Sequence, residues 1–259
     1  MTTRRQGNLV PERRERIRNM LRRNRVIRVD ELCRSLKVSP ATARRDLEAI
    51  EAEGRIRRVH GGAVSVRTRL DEPMFDDKTS IAAREKRRIA EAGAALIDTG
   101  DTVFLDGGST VLELARLIAE RDDITAVTNS LRAAIELAGT GPRLILVGGE
   151  LRRLSQTMVG SLTQPLLERI HVDKAFLGTM GFSLDHGLTT TDPEEAMTKY
   201  QVARRAKTAV LLTDSSKLGE VSFAGSGEVE DIDILVTDTK AEKTFVKNAR
   251  KRGIRVIMV

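Results

Sequence analysis

The chain has 259 residues, enough for a small domain beside a larger one. Its charge is unevenly divided: residues 1–62 contain 17 Lys or Arg and 8 Asp or Glu, whereas the remainder contains 27 and 29. A module with a net charge of +9 on a nearly neutral body predicts a polyanionic partner, such as nucleic acid, for that module alone. Without a long apolar segment or a basic amphipathic anchor, the sequence excludes a membrane as the expected partner.

The cysteine and histidine content indicates the compartment and argues against a metal site. Cys33 is the single cysteine, so it has no internal disulfide partner, and a small core residue is the better interpretation than a reactive thiol. The start MTTRRQGN lacks the apolar run of a signal peptide, and we therefore expect a reducing, cytoplasmic location. His60, His171 and His186 are far apart in sequence, and neither a metal nor a cofactor is expected.

Residues 29–48 predict two short helices joined by a tight turn at Lys37 and Val38. Asp30 is expected to cap the first helix, whereas Ser39 caps the second and Pro40 is its first residue. Ala43, Leu47 and Ile50 then follow at spacings of four and three, which gives one apolar stripe. A helix-turn-helix protein places the positions off that stripe against base edges and phosphates, and here they are Ser39, Ala41, Thr42, Arg44 and Arg45. A helical hairpin with a solvated basic face is the alternative.

The flanking segments complete a winged helix-turn-helix module. A helix beginning at Pro11 has an apolar face and an arginine-rich outer face that includes Arg13 and Arg14, and a short strand is expected over residues 25–29. Gly54 ends the helical region, and residues 55–59 alternate apolar and basic side chains, as a strand does. In this predicted wing, Arg57 and Arg58 would approach phosphates or a minor groove.

The rest of the chain predicts an α/β domain. Residues 64–78 are polar and lack sustained periodicity, so they are interpreted as a linker, and residues 80–96 as a helix. From Thr102 onward, short apolar strands alternate with helices to the end of the chain. This alternation predicts a mainly parallel sheet covered by helices.

Polar loops follow several of the predicted strands. The sequence DGGST at residues 106–110 follows one strand and opens a helix, so that Gly108 allows a close backbone approach and Ser109 and Thr110 add hydroxyl donors. Carboxyl ends of parallel strands meet at one edge, where ligands bind. The candidate ligand-binding residues at this edge are Asp106, Gly108, Ser109, Thr110, Asn129, Arg152, Asp192, Glu195 and Lys217. Each alone has an ordinary structural interpretation, but their shared location suits a phosphorylated polyol.

These motifs carry a resemblance to a known family. TARRDL at residues 42–47 and RRVHGGA at residues 57–63 are followed, in order, by DGGST, TNS, GGELR, KAFLGTMG, GLTTTDPEEAMTK and DSSK. The whole pattern resembles the DeoR family of bacterial transcriptional regulators. Two positions depart from it: Ala43 stands where the family usually has a larger β-branched residue, and Met180 where it often has a polar one.

The resemblance implies a domain plan and an effector. It implies a winged helix-turn-helix domain over residues 9–63 and an effector-binding and oligomerisation domain over residues 79–259 with a sheet related to the sugar-phosphate isomerase fold. By that likeness a phosphorylated sugar or related metabolite is the effector. Ser109, Thr110 and Lys217 would hold its phosphate, with Asn129, Arg152 and Glu195 near the polyol.

Three hypotheses follow. The leading one is a ligand-responsive transcription factor, a repressor that binds double-stranded operator DNA as a homo-oligomer and has no catalytic residues. The alternative is a sugar-phosphate isomerase or transferase with an attached nucleic-acid-binding module, which would need a positioned carboxylate base. The loop at residues 178–181 has none, although Asp106 or Glu195 could serve. The third is a non-specific DNA coating protein, for which the polar loops of the body would have no use.

Overall fold

The computed structural model describes residues 10–24, 26–52, 56–59, 61–65, 72–139 and 141–259. The chain divides into two compact units, with the boundary between Asp71 and Glu72. Residues 66–71 of the predicted linker lie outside the described residues, and residues 72–78 belong to the second unit, where a helix begins at Phe75. No described helix is both long and apolar enough to cross a membrane.

The first unit is a winged helix-turn-helix. Its elements are α1 (Val10–Asn24), β1 (Val26–Arg28), α2 (Val29–Leu36), α3 (Pro40–Glu51), β2 (Ile56–Val59) and β3 (Gly62–Ser65). The strands form an antiparallel sheet in the order β1-β3-β2. Gly62 lies so close to β1 that a Cβ atom there would be 2.1 Å from the carbonyl oxygen of Ile27, which requires glycine at this position. The core contains Ile17, Leu21, Ile27, Leu32, Leu36, Ala43, Leu47, Ile50 and Ile56.

The turn between α2 and α3 confirms most of the local prediction. The Ser39 hydroxyl accepts a hydrogen bond from the amide of Thr42 at 3.2 Å, and Lys37 makes the turn with a φ of 53°. The predicted cap at Asp30 is wrong, because β1 runs directly into α2 and Arg28 occupies the N-cap position. Glu31 instead accepts a hydrogen bond from the amide of Arg28 at 3.0 Å.

The outer face of α1 is tied to α3 by a buried carboxylate. Asp46 is 2% exposed and accepts hydrogen bonds from Nε of Arg13 at 2.5 Å and from Nη2 of Arg13 at 3.1 Å. Nε of Arg14 lies 3.4 Å from the same carboxylate. The prediction that Arg13 and Arg14 lie outside is therefore wrong: both are half-buried, since the aspartate of α3 needs a counter-charge.

The strands of the second unit are β4 (Thr102–Leu105), β5 (Thr125–Thr128), β6 (Arg143–Leu146), β7 (Glu150–Arg152), β8 (Thr157–Val159), β9 (Val172–Leu177), β10 (Gly181–Ser183), β11 (Gly187–Thr190), β12 (Ala206–Leu212), β13 (Ala224–Gly227), β14 (Ile234–Thr237) and β15 (Arg255–Met258). Seven of them form the main parallel sheet of this unit, in the order β15-β14-β12-β9-β4-β5-β6. Its helices are α4 (Phe75–Ser80), α5 (Ala83–Ala94), α6 (Ser109–Leu117), α7 (Leu131–Leu137), α8 (Gln164–Leu167), α9 (Pro193–Ala203) and α10 (Lys243–Lys251).

Helices cover both faces of this sheet. Buried residues of α5, α6 and α7 pack on one face, and those of α8, α9 and α10 pack on the other. The predicted parallel α/β architecture is thus confirmed. The predicted helix over residues 80–96 is interrupted at Ala82, whose φ of 52° separates α4 from α5.

Two smaller β structures lie outside the main sheet and were not predicted. β7 and β8 form an antiparallel hairpin, and β10, β11 and β13 form a short antiparallel sheet. The hairpin brings Thr157 and Arg152 opposite each other, and the short sheet leads through Thr190 into α9. Both structures therefore add polar side chains at the carboxyl edge of the parallel sheet.

Candidate DNA-binding surface and effector site

The start of α3 presents the side chains predicted to contact DNA. Ser39, Ala41, Arg44 and Arg45 are exposed, and Thr42 is half-buried with its hydroxyl 2.9 Å from that of Ser39. Within the described residues, no side chain forms an ion pair with Arg44 or Arg45. Two guanidinium groups at the start of a helix are thus available to a polyanion.

The wing adds two exposed arginines that differ in their surroundings. The amide of Arg58 donates to Oε1 of Glu51 at 2.7 Å, and Nη1 of Arg58 lies 4.0 Å from Oε1 of Glu48. No described residue pairs with the side chain of Arg57. Arg57 therefore keeps its full charge for a phosphate, whereas Arg58 is partly neutralised by α3. Gly54, Arg55 and His60 lie outside the described residues.

The candidate effector site lies where the strand order of the parallel sheet reverses. From β4 the chain adds β5 and β6 on one side, and then returns to place β9 and β12 on the other. Such a switch point leaves a crevice at the carboxyl ends of the strands, where ligands of open α/β sheets bind. The DGGST loop follows β4 at this point, and the amide of Asp106 donates to the carbonyl oxygen of Phe176 at 3.0 Å.

The glycine loop brings backbone amides close to β8. A Cβ atom on Gly107 would lie 1.9 Å from Cγ2 of Thr157, so only glycine fits between them. α6 then begins at Ser109, where the first amides of a helix have no intrahelical acceptor. Ser109 and Thr110 are each 7% exposed, and among the described residues their hydroxyls have no hydrogen-bond partner. This arrangement is suited to binding an anion.

Asp106 supports the loop and does not present a free carboxylate. Its Oδ2 accepts hydrogen bonds from Nζ of Lys199 and, at 2.9 Å, from the amide of Gly178. Lys199 also donates to the carbonyl oxygen of Gly178 at 3.2 Å. Burial raises the pKa of Asp106, although Lys199 and the Gly178 amide oppose this shift. The ion pair joins the loop after β4 to α9, and Gly178 in the loop after β9 hydrogen-bonds to both partners. The sequence did not predict Lys199 as a site residue.

Arg152 gathers three carboxylates at the same edge. Its Nε lies 3.0 Å from Oδ2 of Asp192, its Nη1 donates to Glu195 at 3.2 Å, and its Nη2 donates to Glu72 at 2.8 Å. The structure thus brings the predicted residues Arg152, Asp192 and Glu195 together. Glu72 was assigned to the linker in the sequence analysis, because the polar segment around it carries no motif.

Asn129 supplies an acceptor without a partner. Its Nδ2 donates to the carbonyl oxygen of Met158 at 3.1 Å, which fixes the amide against β8. Its Oδ1 is buried and has no hydrogen-bond partner among the described residues. Since a buried carbonyl oxygen without a partner is costly, this atom is suited to accept a hydrogen bond from a ligand hydroxyl.

A cationic cluster at this site consists of three lysines, Lys78, Lys86 and Lys217. Lys86 on α5 is 6% exposed, and its Nζ donates to the carbonyl oxygen of Lys78 at 2.5 Å. Burial lowers the pKa of Lys86 to about 8; Asp214 raises it, whereas Lys217 and the Lys78 ammonium lower it further. Only Lys217 was predicted. The available signal was the position of Lys86 three residues before Ile89, on the buried face of α5.

The described residues contain no group of three or more His, Cys, Asp or Glu side chains arranged to hold a metal ion. Carboxylates at the candidate site are instead paired with Arg152, Lys78 or Lys199. The site therefore combines a helix N-terminus, ammonium groups, one guanidinium and hydroxyl or amide groups. That combination binds anionic, hydroxyl-rich molecules through hydrogen bonds.

Comparison with known proteins identifies the family. The DeoR-like helix-turn-helix domain matches residues 13–69, and the DeoR C-terminal sensor domain matches residues 81–239. The chain belongs to the DeoR family. This DeoR-family chain is 37% identical over 246 residues to the HTH-type transcriptional regulator GolR of Listeria innocua, an alignment that covers 95% of this chain and 97% of GolR. The resemblance drawn from the motifs is thereby confirmed.

Two further relatives agree across nearly the whole DeoR-family chain. The regulator FruR of Bacillus subtilis is 34% identical, with 96% of this chain and 99% of FruR covered. A putative aga operon transcriptional repressor of Escherichia coli O157:H7 is also 34% identical, with 96% and 93% covered. This chain is accordingly a DNA-binding transcriptional regulator with a sensor domain, and not the isomerase-type enzyme of the alternative hypothesis.

Among solved structures, ribose 5-phosphate isomerase A from Methanocaldococcus jannaschii is similar to part of the chain. The superposition covers 53% of this chain and 55% of the isomerase, with a TM-score of 0.41 and 20% sequence identity. A similarity of this extent is too low to imply a shared activity for the DeoR-family sensor domain.

Proposed function

We propose that this DeoR-family regulator is a repressor whose affinity for double-stranded operator DNA is controlled by a phosphorylated sugar or related polyol phosphate. The observation that carries the proposal is the switch-point crevice of the second unit. There, the start of α6, with the largely buried residues Ser109 and Thr110, lies at the same sheet edge as ammonium groups and the unpartnered Oδ1 of Asn129. The relative described as an aga operon repressor supports repression as the mode of regulation.

The two halves of such an effector would use different parts of the site. The phosphate would accept hydrogen bonds from the amides at the start of α6, from Ser109 and Thr110, and from the ammonium groups of Lys86 and Lys217. The polyol would use Asn129 Oδ1 and the group around Arg152, as proposed from the sequence for Asn129, Arg152, Asp192 and Glu195. Asp106 and Gly108 would shape the loop without touching the hydroxyls.

The predicted domain plan places DNA binding in residues 9–63, a linker in residues 64–78 and effector binding in residues 79–259. The predicted effector domain began at residue 79, and the structure supports moving that boundary to Glu72. The reason is that Glu72 contacts Arg152 and that Phe75 at the start of α4 is buried in the second unit. With this change, every proposed effector contact lies within one compact unit.

A thermal-shift assay on the full chain tests the proposal. The probes are a panel of pentose and hexose monophosphates, the matching unphosphorylated sugars and inorganic phosphate. At least one sugar phosphate is expected to raise the melting temperature of the second unit far more than its parent sugar, because a ligand that binds only the folded state stabilises it by mass action. The shift should be lost in Lys217→Ala and kept in Lys207→Ala, whose exposed lysine lies at the amino end of β12. The proposal fails if no sugar phosphate in the panel produces a shift.

A further inference from the structure

Glu72 combines a position at the start of the second unit with a buried side chain. It is the first residue of the second unit and follows Asp71, the last residue of the first. Yet its side chain is only 1% exposed, and it accepts hydrogen bonds from Nζ of Lys78, from the hydroxyl of Thr191 and from Nη2 of Arg152. The segment that arrives from the DNA-binding unit therefore ends with a carboxylate inside the proposed effector site.

The three carboxylates around Arg152 are not held equally. Asp192 caps α9 by accepting hydrogen bonds from the amides of Glu194 and Glu195, each at 3.0 Å. The Glu195 carboxylate, in turn, accepts hydrogen bonds from hydroxyls on β8 and β11 at 3.0 and 3.2 Å. Both carboxylates are thus fixed by α9 and its neighbouring strands, whereas Glu72 is held by side chains that an effector could also use.

The charges around Glu72 make it a competitor for an incoming anion. Burial opposes the charged form of Glu72, but Lys78, Arg152 and Thr191 outweigh that effect and lower its pKa to about 2. Glu72 is therefore ionised at neutral pH. Lys78 is shared between two partners: its ammonium bonds to Glu72, and its carbonyl oxygen accepts from the buried Lys86.

We propose that Glu72 is an internal substitute for the anionic effector, and that the effector releases it to change the segment leading to the DNA-binding unit. The inference rests on the proposed function. A phosphate beside Lys86 and Lys217 carries more negative charge than one carboxylate, so it attracts the Lys78 ammonium, while the polyol takes the donors of Arg152 and Thr191. Glu72 then leaves the site.

The release of Glu72 is confined to the residues that precede Phe75 in the chain. Phe75 is 2% exposed, its amide donates to the carbonyl oxygen of Leu154 at 3.1 Å, and its ring lies under the guanidinium of Arg132. These contacts keep the start of α4 in place whether or not Glu72 is bound. The residues freed by the effector are Glu72, Pro73 and Met74, at the start of the second unit. A ligand that distinguishes two arrangements of this segment also changes operator affinity.

The first experiment compares Glu72→Gln with Asp76→Asn in the full chain. Asp76 is a matched control, because it lies in the same segment but is exposed and paired with Arg132 at 2.6 Å. Binding of the sugar phosphate that most stabilises the wild type is measured by calorimetry, and operator affinity is measured with and without it. Glu72→Gln should bind the sugar phosphate about tenfold more tightly, and its operator affinity should respond about fivefold less than that of the wild type. Asp76→Asn should match the wild type in both measurements.

The outcomes separate this inference from the proposed function. A wild type that binds no sugar phosphate overturns the proposed function and the inference together. A wild type that binds and responds, with a Glu72→Gln variant that binds equally or more weakly, overturns only the inference, since Glu72 would then be a structural or direct ligand contact.

A second measurement needs no variant. Hydrogen exchange of the wild type, in peptides that contain residues 72–74, should become faster when the sugar phosphate is added, while α4 stays protected. Exchange that slows or stays unchanged in this segment would contradict the release of Glu72.

Discussion

Lys86 and Glu72 are opposite charges that the sensor domain buries at one edge of its sheet, and they are satisfied to different degrees. Glu72 has two cations and a hydroxyl. The Lys86 ammonium donates to the carbonyl oxygen of Lys78, but no carboxylate of the described residues forms an ion pair with it. A buried charge without a close counter-charge is destabilising. An anion bound beside Lys86 would remove this cost, and this is the physical reason for the expected stabilisation by a phosphate.

Effector affinity should depend on pH through Lys86. Burial lowers the pKa of Lys86 to about 8 in the free protein, and a bound phosphate would raise it again by favouring the ammonium form. Affinity for the sugar phosphate should therefore fall as the pH rises from about 7 to about 9.5, with proton uptake on binding. Calorimetry in two buffers of different ionisation enthalpy measures this uptake. Affinity that is constant over this range, or equal in Lys86→Met and the wild type, would show that Lys86 does not contact the phosphate.

Substitutions of two arginines in the first unit should affect DNA binding differently, one changing sequence specificity and the other the affinity for any DNA. Arg45→Ala is expected to weaken operator binding by about 1–3 kcal/mol if Arg45 makes a bidentate contact to a base. Arg57→Ala should weaken binding to all sequences about equally, because an exposed wing arginine contacts phosphates. Titrations with operator and with scrambled DNA distinguish the two. Wild-type affinity in both variants would show that this surface does not bind DNA.

The sequence predicted several site residues that stand in motifs and missed others whose partners are distant in the chain. Arg152, Asp192 and Glu195 were predicted because glycine-rich or polar loops mark them, and the structure brings them together. Glu72 lies outside every motif, and Lys199 was not predicted as a site residue although it ends the motif GLTTTDPEEAMTK. Their roles depend on partners 80 and 93 positions away in the chain. Such pairs follow from the tertiary fold alone.

At the scale of elements, the helices of the first unit depend on a charge that crosses between them. Asp46 lies in the motif TARRDL next to Arg45, but it points into the module and binds Arg13 on α1. This carboxylate therefore ties α3 to α1 in addition to the hydrophobic core that the two helices share. Removing it would leave the half-buried guanidinium of Arg13 without this partner.

Asp46→Ala should destabilise the DNA-binding unit by about 2–4 kcal/mol, because it breaks a buried ion pair on one side only. Glu15→Ala is the control; Glu15 lies on α1, the helix of Arg13, and its exposed pair with Arg18 should contribute about 1 kcal/mol or less. Chemical denaturation, followed through the transition of the first unit, gives both values. Equal effects of the two substitutions would mean that the Arg13–Asp46 pair does not anchor α1.

The helices and strands that could be predicted from the sequence are those whose apolar residues recur with a clear period. Strands such as β4 and β12 are short apolar segments between helical patterns, so the parallel sheet followed from their alternation. The hairpin of β7 and β8 was missed because strands of three residues are too short to show alternation. The break at Ala82 was also missed, since alanine is a strong helix former and gives no turn signal.

At the scale of the whole molecule, a single winged helix-turn-helix can read only a short site. Specific operators of such proteins have two half-sites that mirror the symmetry of a dimer. We therefore expect a homo-oligomer assembled through the sensor domain. Light scattering at micromolar concentration should give a mass of at least two chains, both free and on the operator. A monomer bound to the operator would contradict this expectation.

Regulation by this protein depends on the proposed control of DNA affinity by a ligand in the sensor domain. Its most direct test is an operator titration with and without saturating sugar phosphate for the wild type, Lys217→Ala and the control Lys207→Ala. Operator affinity of the wild type and of Lys207→Ala should fall about fivefold or more when the sugar phosphate is added. Lys217→Ala should show no change at the same concentration, because its phosphate contact is lost. A wild-type operator affinity that the sugar phosphate leaves unchanged would contradict this control of DNA binding. A Lys217→Ala variant that responds at the wild-type concentration would contradict the phosphate contact of Lys217.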